Sequence, residues 1–207
     1  MINNLVRGKS LWVSHQRKNP ARADDKWSLI NAHLPKEPGS LLDIGCNEGL
    51  FTKNAALKGW CAWGIDILER AVNYAKKSAD KEGIQNVFFS HGAIAPDVAK
   101  CLPKFDVIII ASTFQEICST FGLEKGYEIL YNLLKACNKK LFFEPSSLNV
   151  KYGPDALIFE HDNDLESVDK WLEKLVSRLP EWEVCYIGKT HCSAKEPYRF
   201  MFLFEKK

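Results

Sequence analysis

The sequence predicts an α/β protein: a doubly wound, mostly parallel seven-stranded sheet with helices on both faces and an antiparallel hairpin at its C-terminal end. Three observations predict it. Short apolar runs alternate with stretches of helical length through the first two-thirds of the chain, the pattern of crossover units on a parallel sheet. The first run closes on a glycine turn that opens a helix, Gly45-Cys46-Asn47-Glu48-Gly49. The last third breaks the rhythm with two β-rich runs and no helix between them, and such strands pair antiparallel.

The elements follow in order. Asp24 to Leu34 reads as a helix with Trp27, Ile30 and Leu34 on one stripe, stopped by Pro35 and the Pro38-Gly39 turn. Leu41 to Ile44 is a strand, apolar on both faces apart from Asp43, as suits the centre of a parallel sheet. A helix from Leu50 to Lys58 ends at Gly59, a second strand from Cys61 to Ile65 closes at Asp66, and a helix from Leu68 to Glu82 ends at Gly83. The alternation continues with strand Asn86 to Phe89, short helix Ala95 to Cys101, strand Asp106 to Ala111, helix Glu124 to Ala136 and strand Lys140 to Phe143. Leu165 to Leu179 is helical and Pro180 breaks it. The hairpin strands are Trp182 to Ile187 and Arg199 to Phe204, joined by a polar stretch containing Pro197. With no repeat or Gly/Ser linker, the reading is one domain over residues 40–207, preceded by a helical, basic segment over residues 1–39.

Composition bounds the function. A chain of 207 residues with 46% hydrophobic content has enough apolar surface for one enzyme-sized core. A net charge of +2 is too small to imply a nucleic-acid or membrane partner, although it does not exclude RNA. No stretch approaches the roughly 18 apolar residues of a membrane span, and the N-terminus lacks the apolar run of a secretory signal. The seven cysteines include no Cys-x-x-Cys pair and leave one over in any disulfide scheme, which fits reduced thiols and a cytoplasmic protein. Cys185, His191 and Cys192 lie close together but lack a fourth ligand at short spacing, so no metal site is predicted. The oligomeric state is not readable.

The strongest signal is Leu41-Leu42-Asp43-Ile44-Gly45-Cys46-Asn47-Glu48-Gly49, which joins a buried strand, a tight turn and a helix start. Gly45 and Gly49 let the backbone come close to a ligand, and free N–H groups at the helix start attract an anionic group. Asp66, at the end of the next strand, can accept both hydroxyls of a ribose. A lone Asp43 would read as a strand-end carboxylate capping local N–H groups; paired with Asp66, it reads as part of a site for an adenosine-containing ligand. The segment resembles the class I S-adenosylmethionine-dependent methyltransferases, and the resemblance runs from about Ser40 to Lys207. It implies S-adenosylmethionine as cofactor. Asp43, Gly45, Cys46, Asn47 and Gly49 would then shape the methionine end, Asp66 would hold the ribose, and Ile67 would pack on the adenine. Two positions depart from the family pattern: Asn47 stands where a glycine is usual, and His91-Gly92-Ala93 stands where an acidic residue often meets the adenine amine. That contact falls to a backbone group around Ala93 or to Asp97.

Methyl transfer is an in-line displacement, so the protein must mainly align a nucleophile and exclude water, and a base is needed only if a proton must leave. Loops after the fourth and fifth strands supply the candidates, Ser112-Thr113-Phe114-Gln115-Glu116 and Glu144-Pro145-Ser146-Ser147. Glu116 or Glu144 is the catalytic base, or else a solvated or capping carboxylate. Phe114 walls the pocket or packs in the core, and His161 faces the substrate or the solvent. The first forty residues hold seven Lys and Arg against three acids, with Trp12 and His15 interleaved, so this arm closes over the cofactor as a lid, binds an anionic acceptor, or is a solvated leader packed by Trp12. The expected acceptor is an oxygen or nitrogen nucleophile on a small molecule or a sugar- or lipid-linked intermediate. RNA or protein methylation and a non-catalytic binding domain are the alternatives. A nicotinamide site is disfavoured because Gly45 and Gly49 do not make a G-x-G-x-x-G turn.

Overall fold

The computed structural model describes residues 20–145, 165–191 and 198–207. Its strands are β1 (Ser40–Ile44), β2 (Cys61–Asp66), β3 (Val87–His91), β4 (Phe105–Ala111), β5 (Cys137–Glu144), β6 (Trp182–His191) and β7 (Tyr198–Lys206). The helices are α1 (Pro20–His33), α2 (Leu50–Leu57), α3 (Glu69–Lys81), α4 (Pro96–Cys101), α5 (Phe114–Phe121), α6 (Leu123–Ala136) and α7 (Leu165–Val176). The seven strands form one sheet in the order β3-β2-β1-β4-β5-β7-β6. β1 to β5 are parallel, while β7 runs antiparallel to both β5 and β6. The α/β fold with its reversed C-terminal pair is the one the sequence predicts.

Period-two alternation explains how the sheet is sandwiched. Leu42 and Ile44, Ile108 and Ile110, Leu141 and Phe143, and Phe202 and Phe204 face one core with α6 and α7. Their neighbours Leu41, Val107, Ile109, Phe142, Met201 and Leu203 face a second core with Trp27 and Ile30 of α1 and the apolar sides of α2 and α3. Each central strand therefore buries both faces, which is why it reads as a continuous apolar run rather than an alternating one. The chain leaves β1 towards β2 and β3 on one side and returns to β4 on the other. Between the carboxyl ends of β1 and β4 lies the switch point where open α/β sheets bind ligands.

Several elements depart from the sequence reading: α1 begins at Pro20 rather than Asp24, and β6 runs on to His191 rather than ending at Ile187. β5 begins at Cys137 rather than Lys140, because exposed Asn138 and Lys139 dilute the apolar pattern there. Residues 114–121 form helix α5, so Glu116 sits in a first helical turn and not in a loop. Among the described residues no helix is long and apolar enough to cross a membrane.

Candidate active site

The turn after β1 is built from left-handed residues. Gly45 has φ 75°, Asn47 φ 52° and Gly49 φ 78°, and Asn is one of the few side-chain-bearing residues that tolerate this region. The N–H groups of Gly45 and Cys46 donate to the carbonyl of Ile65 at 2.8 and 3.1 Å, which fastens the turn to the end of β2. A Cβ on Gly45 would lie 2.2 Å from Oγ1 of Thr113, so glycine is required for the turn after β4 to close against this one. The Thr113 hydroxyl lies 3.1 Å from the carbonyl of Ile44 and 3.0 Å from that of Ala111, and thus bridges the two strand ends.

Two buried carboxylates brace this turn. Oδ2 of Asp66 accepts the N–H of Asn47 and Oδ1 accepts that of Leu68, both at 2.8 Å. Asp43 accepts the hydroxyl of Thr52 at 2.7 Å and so ties β1 to α2. Burial, reinforced by the charge of Asp66, pushes the Asp43 carboxyl up to about 7 against the opposing bonds from Thr52. Burial and the same two carboxylates raise the Cys46 thiol. Oδ1 of Asn47 is buried and has no hydrogen-bond partner among the described residues.

Beyond β2, the half-buried Ile67 meets the turn after β3. Its carbonyl lies 3.1 Å from Nε2 of His91, and Gly92 N–H donates to the carbonyl of Asp66 at 2.9 Å. Ala93 follows, exposed, while the side chain of Asp97 on α4 is 99% exposed beside Lys100. The predicted Asp43, Gly45, Cys46, Asn47, Gly49, Asp66, Ile67 and Ala93 thus gather at the carboxyl ends of β1, β2 and β3.

A second polar cluster occupies the carboxyl ends of β4 and β5. Glu144, the last residue of β5, is fully buried. Its Oε2 accepts Nζ of Lys26 at 2.7 Å and the hydroxyl of Ser112, its Oε1 accepts the hydroxyl of Thr190, and the Arg199 guanidinium lies 4.0 Å away. Burial works to raise the Glu144 carboxyl, but Lys26, Arg199 and the hydrogen bonds outweigh it and hold the group below the ordinary carboxylate range. Lys26 also donates to Oγ of Ser112 at 2.7 Å, and Ser112 itself is left-handed at φ 56°. Gln115 is buried alongside, its Nε2 donating to the carbonyl of Ser112 at 2.6 Å.

The sequence reading missed Lys26, Thr190 and Arg199. No motif marks them, because each meets Glu144 only through the fold. Phe114 belongs to the core, packed on Phe143 at 5.2 Å between ring centroids and beside Tyr127 and Trp171. Helix α1 is tied down by Lys26, by the Trp27–Phe51 stack at 6.3 Å, and by an Asp25–His191 contact at 2.7 Å. Ser146, Ser147, His161, Cys192 and the arm bearing Arg7, Lys9, Trp12, His15, Arg17 and Lys18 lie outside the described residues, as does the side chain of Arg22. Among the described residues no group of three His, Cys, Asp or Glu side chains could hold a metal ion.

The chain is similar to known proteins in sequence and in fold. The chain is 29% identical over 99 residues to a ubiquinone biosynthesis O-methyltransferase of Aromatoleum aromaticum, covering 48% of this chain and 40% of that one. Among solved structures, the bifunctional kinase-methyltransferase WbdD superposes with a TM-score of 0.72 at 22% identity, over 99% of this chain and 46% of that one. Magnesium protoporphyrin IX methyltransferase from Synechocystis PCC 6803, solved with bound SAM, superposes with a TM-score of 0.64 at 17% identity, over 97% and 86%. The chain thus spans less than half the length of the first two of these proteins. Residues 36–148, more than half of the chain, match a family model described as a methyltransferase domain, and the chain belongs to that family.

Proposed function

We propose that the chain binds S-adenosylmethionine at the carboxyl ends of β1, β2 and β3 and transfers its methyl group to an acceptor presented at the ends of β4 and β5. The observation that carries this reading is the left-handed turn at Gly45 to Gly49, held by both oxygens of Asp66. The residues present fit the cofactor. Burial and the charge of Asp66 raise the cost of ionising Asp43, and a cationic ligand relieves that cost. The buried Oδ1 of Asn47 lacks a donor that a ligand's ammonium can supply. When bound, the cofactor supplies an electrophilic methyl group on a sulfonium.

Asp43, Gly45, Cys46, Asn47 and Gly49 hold its methionine end. Asp66, whose two oxygens accept the N–H groups of Asn47 and Leu68 at the end of β2, holds the ribose hydroxyls. Ile67 and Ala93 flank the adenine, and a backbone group of the His91–Ala93 turn serves the amine better than the solvated Asp97. In this assignment residues 40–207 form the cofactor domain, and α1 of the preceding segment packs on its acceptor side through Lys26.

Of the two predicted bases, Glu144 is a counterion: a fully buried carboxylate gripped by a lysine and two hydroxyls has no reason to take up a proton. Glu116, half-buried in the first turn of α5, keeps the role of base where the acceptor brings a proton to lose. The relative's name, an O-methyltransferase, supports an oxygen acceptor on a small molecule. The name of WbdD, an O-antigen chain terminator, supports a glycan-linked one.

Calorimetry with S-adenosylmethionine and S-adenosylhomocysteine tests the reading. The wild type should bind both, and Asp66→Ala should bind them at least tenfold more weakly, equivalent to about 1.4 kcal/mol. Binding of NAD in their place would overturn it. Supplying labelled methyl donor with cell extracts then reports which class of molecule takes up the label.

A further inference from the structure

We propose that Lys26 is the acceptor-binding residue: with two of its N–H groups held by Ser112 and Glu144, the third donates to an anionic oxygen of the methyl acceptor. The acceptor is thereby an oxygen acid, a carboxylate or an acidic hydroxyl, and not an amine. This inference rests on the methyltransferase reading and names the substrate class of the same site. Lys26 precedes residues 36–148, so the family match says nothing about it.

Placement comes first. Lys26 is bonded to Ser112, and the next residue, Thr113, is the one a Cβ on Gly45 would strike. The ammonium is therefore anchored to the turn that touches the cofactor turn. Helix α1 cannot easily carry it away, because Trp27 stacks on Phe51 of α2 and Asp25 meets His191 of β6 on either side.

Anchoring comes second. A lysine ammonium usually swings on a flexible stem in water. This one has two bonds of 2.7 Å and a side chain only 11% exposed. Its third N–H has no partner among the described residues. A donor fixed this way is prepaid: the ligand that completes it does not have to order the side chain.

Chemistry comes third. An ammonium has no lone pair to offer, so it recognises lone pairs, and anionic oxygens best of all. A protonated amine would meet like charge. A hydroxyl bound there is more acidic than in water, because the adjacent cation favours its charged form, and it releases its proton to solvent on binding, whereas a carboxylate arrives already ionised. From that anion a lone pair on oxygen makes the new O–C bond while the electrons of the C–S bond return to sulfur. One negative and one positive charge cancel, the products are a methyl ether or ester and a neutral thioether, and no proton remains to be moved. This accounts for Glu144 being a buried counterion where a base was expected.

Benzoate, benzyl alcohol and benzylamine are probes of one size and three charges. Saturation-transfer NMR on the full chain loaded with S-adenosylhomocysteine should show benzoate binding at least tenfold tighter than benzyl alcohol, and no benzylamine binding. Lys26→Met should erase that preference while S-adenosylhomocysteine affinity stays within twofold. Because Lys26→Met leaves Glu144 without its nearer counterion, Lys26→Met/Glu144→Gln is measured beside it, with circular dichroism to establish folding, and should erase the preference too. Retention of the preference by a folded variant overturns the proposal, as does a wild type that binds the three probes equally, favours benzylamine or binds none. Failure of the wild type to bind S-adenosylhomocysteine would bring down the methyltransferase reading as well, so the two failures are distinguishable.

Discussion

Lys26→Met should be among the most destabilising single substitutions on α1, even though the side chain lies in a helix near the start of the described chain. The carboxylate of Glu144 is fully buried and faces two cations, Lys26 at 2.7 Å and Arg199 at 4.0 Å. At an effective dielectric constant of about 20, charges at these separations attract by about 6 and about 4 kcal/mol, so Lys26 supplies more than half of the compensation for burying the carboxylate. Removing one partner of a buried pair costs about 3–5 kcal/mol. Arg199 and the hydroxyls of Ser112 and Thr190 remain, which favours the lower end, about 3 kcal/mol, or about 6–12 °C in Tm for a chain of this size. The pH dependence has a definite sign. In the wild type the Glu144 carboxyl is depressed, so its contribution is present above the unfolded value of about 4.3 and is lost as pH falls through the lower folded value. In Lys26→Met it rises instead, so the deficit is largest at neutral pH and shrinks as acid protonates Glu144. Urea denaturation of both proteins at pH 7 and pH 5 measures this, and Lys26→Met/Glu144→Gln should recover most of the loss. A Lys26→Met deficit under about 1 kcal/mol, or one independent of pH, would refute the assignment of Glu144 as a dry counterion.

Other substitutions probe the remaining parts of the site. Asp43 is raised to about 7, so its contribution to stability is full below about 3.9 and is lost as pH rises through 7; the unfolding free energy from urea denaturation should fall for the wild type between pH 5 and pH 8 by an amount on the order of a few kcal/mol, and much less for Asp43→Asn. Cofactor affinity should move the other way, rising over the same interval in the wild type because the ionised carboxylate pairs with the cationic ligand, and calorimetry of the Asp43→Asn variant should show that slope flattened. Gly45→Ala combines a left-handed φ of 75° with a Cβ 2.2 Å from Thr113, so S-adenosylhomocysteine should bind at least tenfold more weakly, a loss within the range of about 1–3 kcal/mol for such strain. Phe114→Ala should cost about 3–5 kcal/mol of stability in thermal denaturation while leaving cofactor affinity of the folded protein unchanged, as expected of a ring 1% exposed between Phe143 and Trp171.

The parts of the fold that were legible are those where one local pattern decides the outcome. Leu41–Ile44 and Val107–Ile110 are apolar at every position but Asp43 because both faces of the central strands are covered, and their short length between turn residues marks them as strands. Helix α5 shows the opposite case. Thr113-Phe114-Gln115-Glu116 has the spacing of a helix-capping box, yet it follows a strand end in a stretch that reads equally well as a loop. In the fold the Thr113 hydroxyl caps nothing on its own helix: it bonds to the carbonyls of Ile44 and Ala111 and joins two parallel strands. A residue chosen for a contact 69 positions away cannot be placed from its neighbours.

The same distinction separates the two halves of the site. The cofactor half was legible because its residues are sequence neighbours or lie at the end of the adjacent strand: Asp66 reaches Asn47 across 19 residues, and Gly45 hangs from Ile65 by direct strand pairing. The acceptor half was not, because Lys26 meets Glu144 across 118 residues and Thr190 meets it across 46. Viewed alone, a glutamate at the end of a strand beside a ligand crevice looks like a base, since nothing in its vicinity announces a lysine. The buried pair reverses that inference. A carboxylate with a raised pKa would have suited proton abstraction, whereas one depressed by a lysine, an arginine and the Ser112 hydroxyl is fixed in its charged form and serves to fix something else. What it fixes is the ammonium of Lys26, and the chemistry at the ends of β4 and β5 follows from a held positive charge and not from a held base.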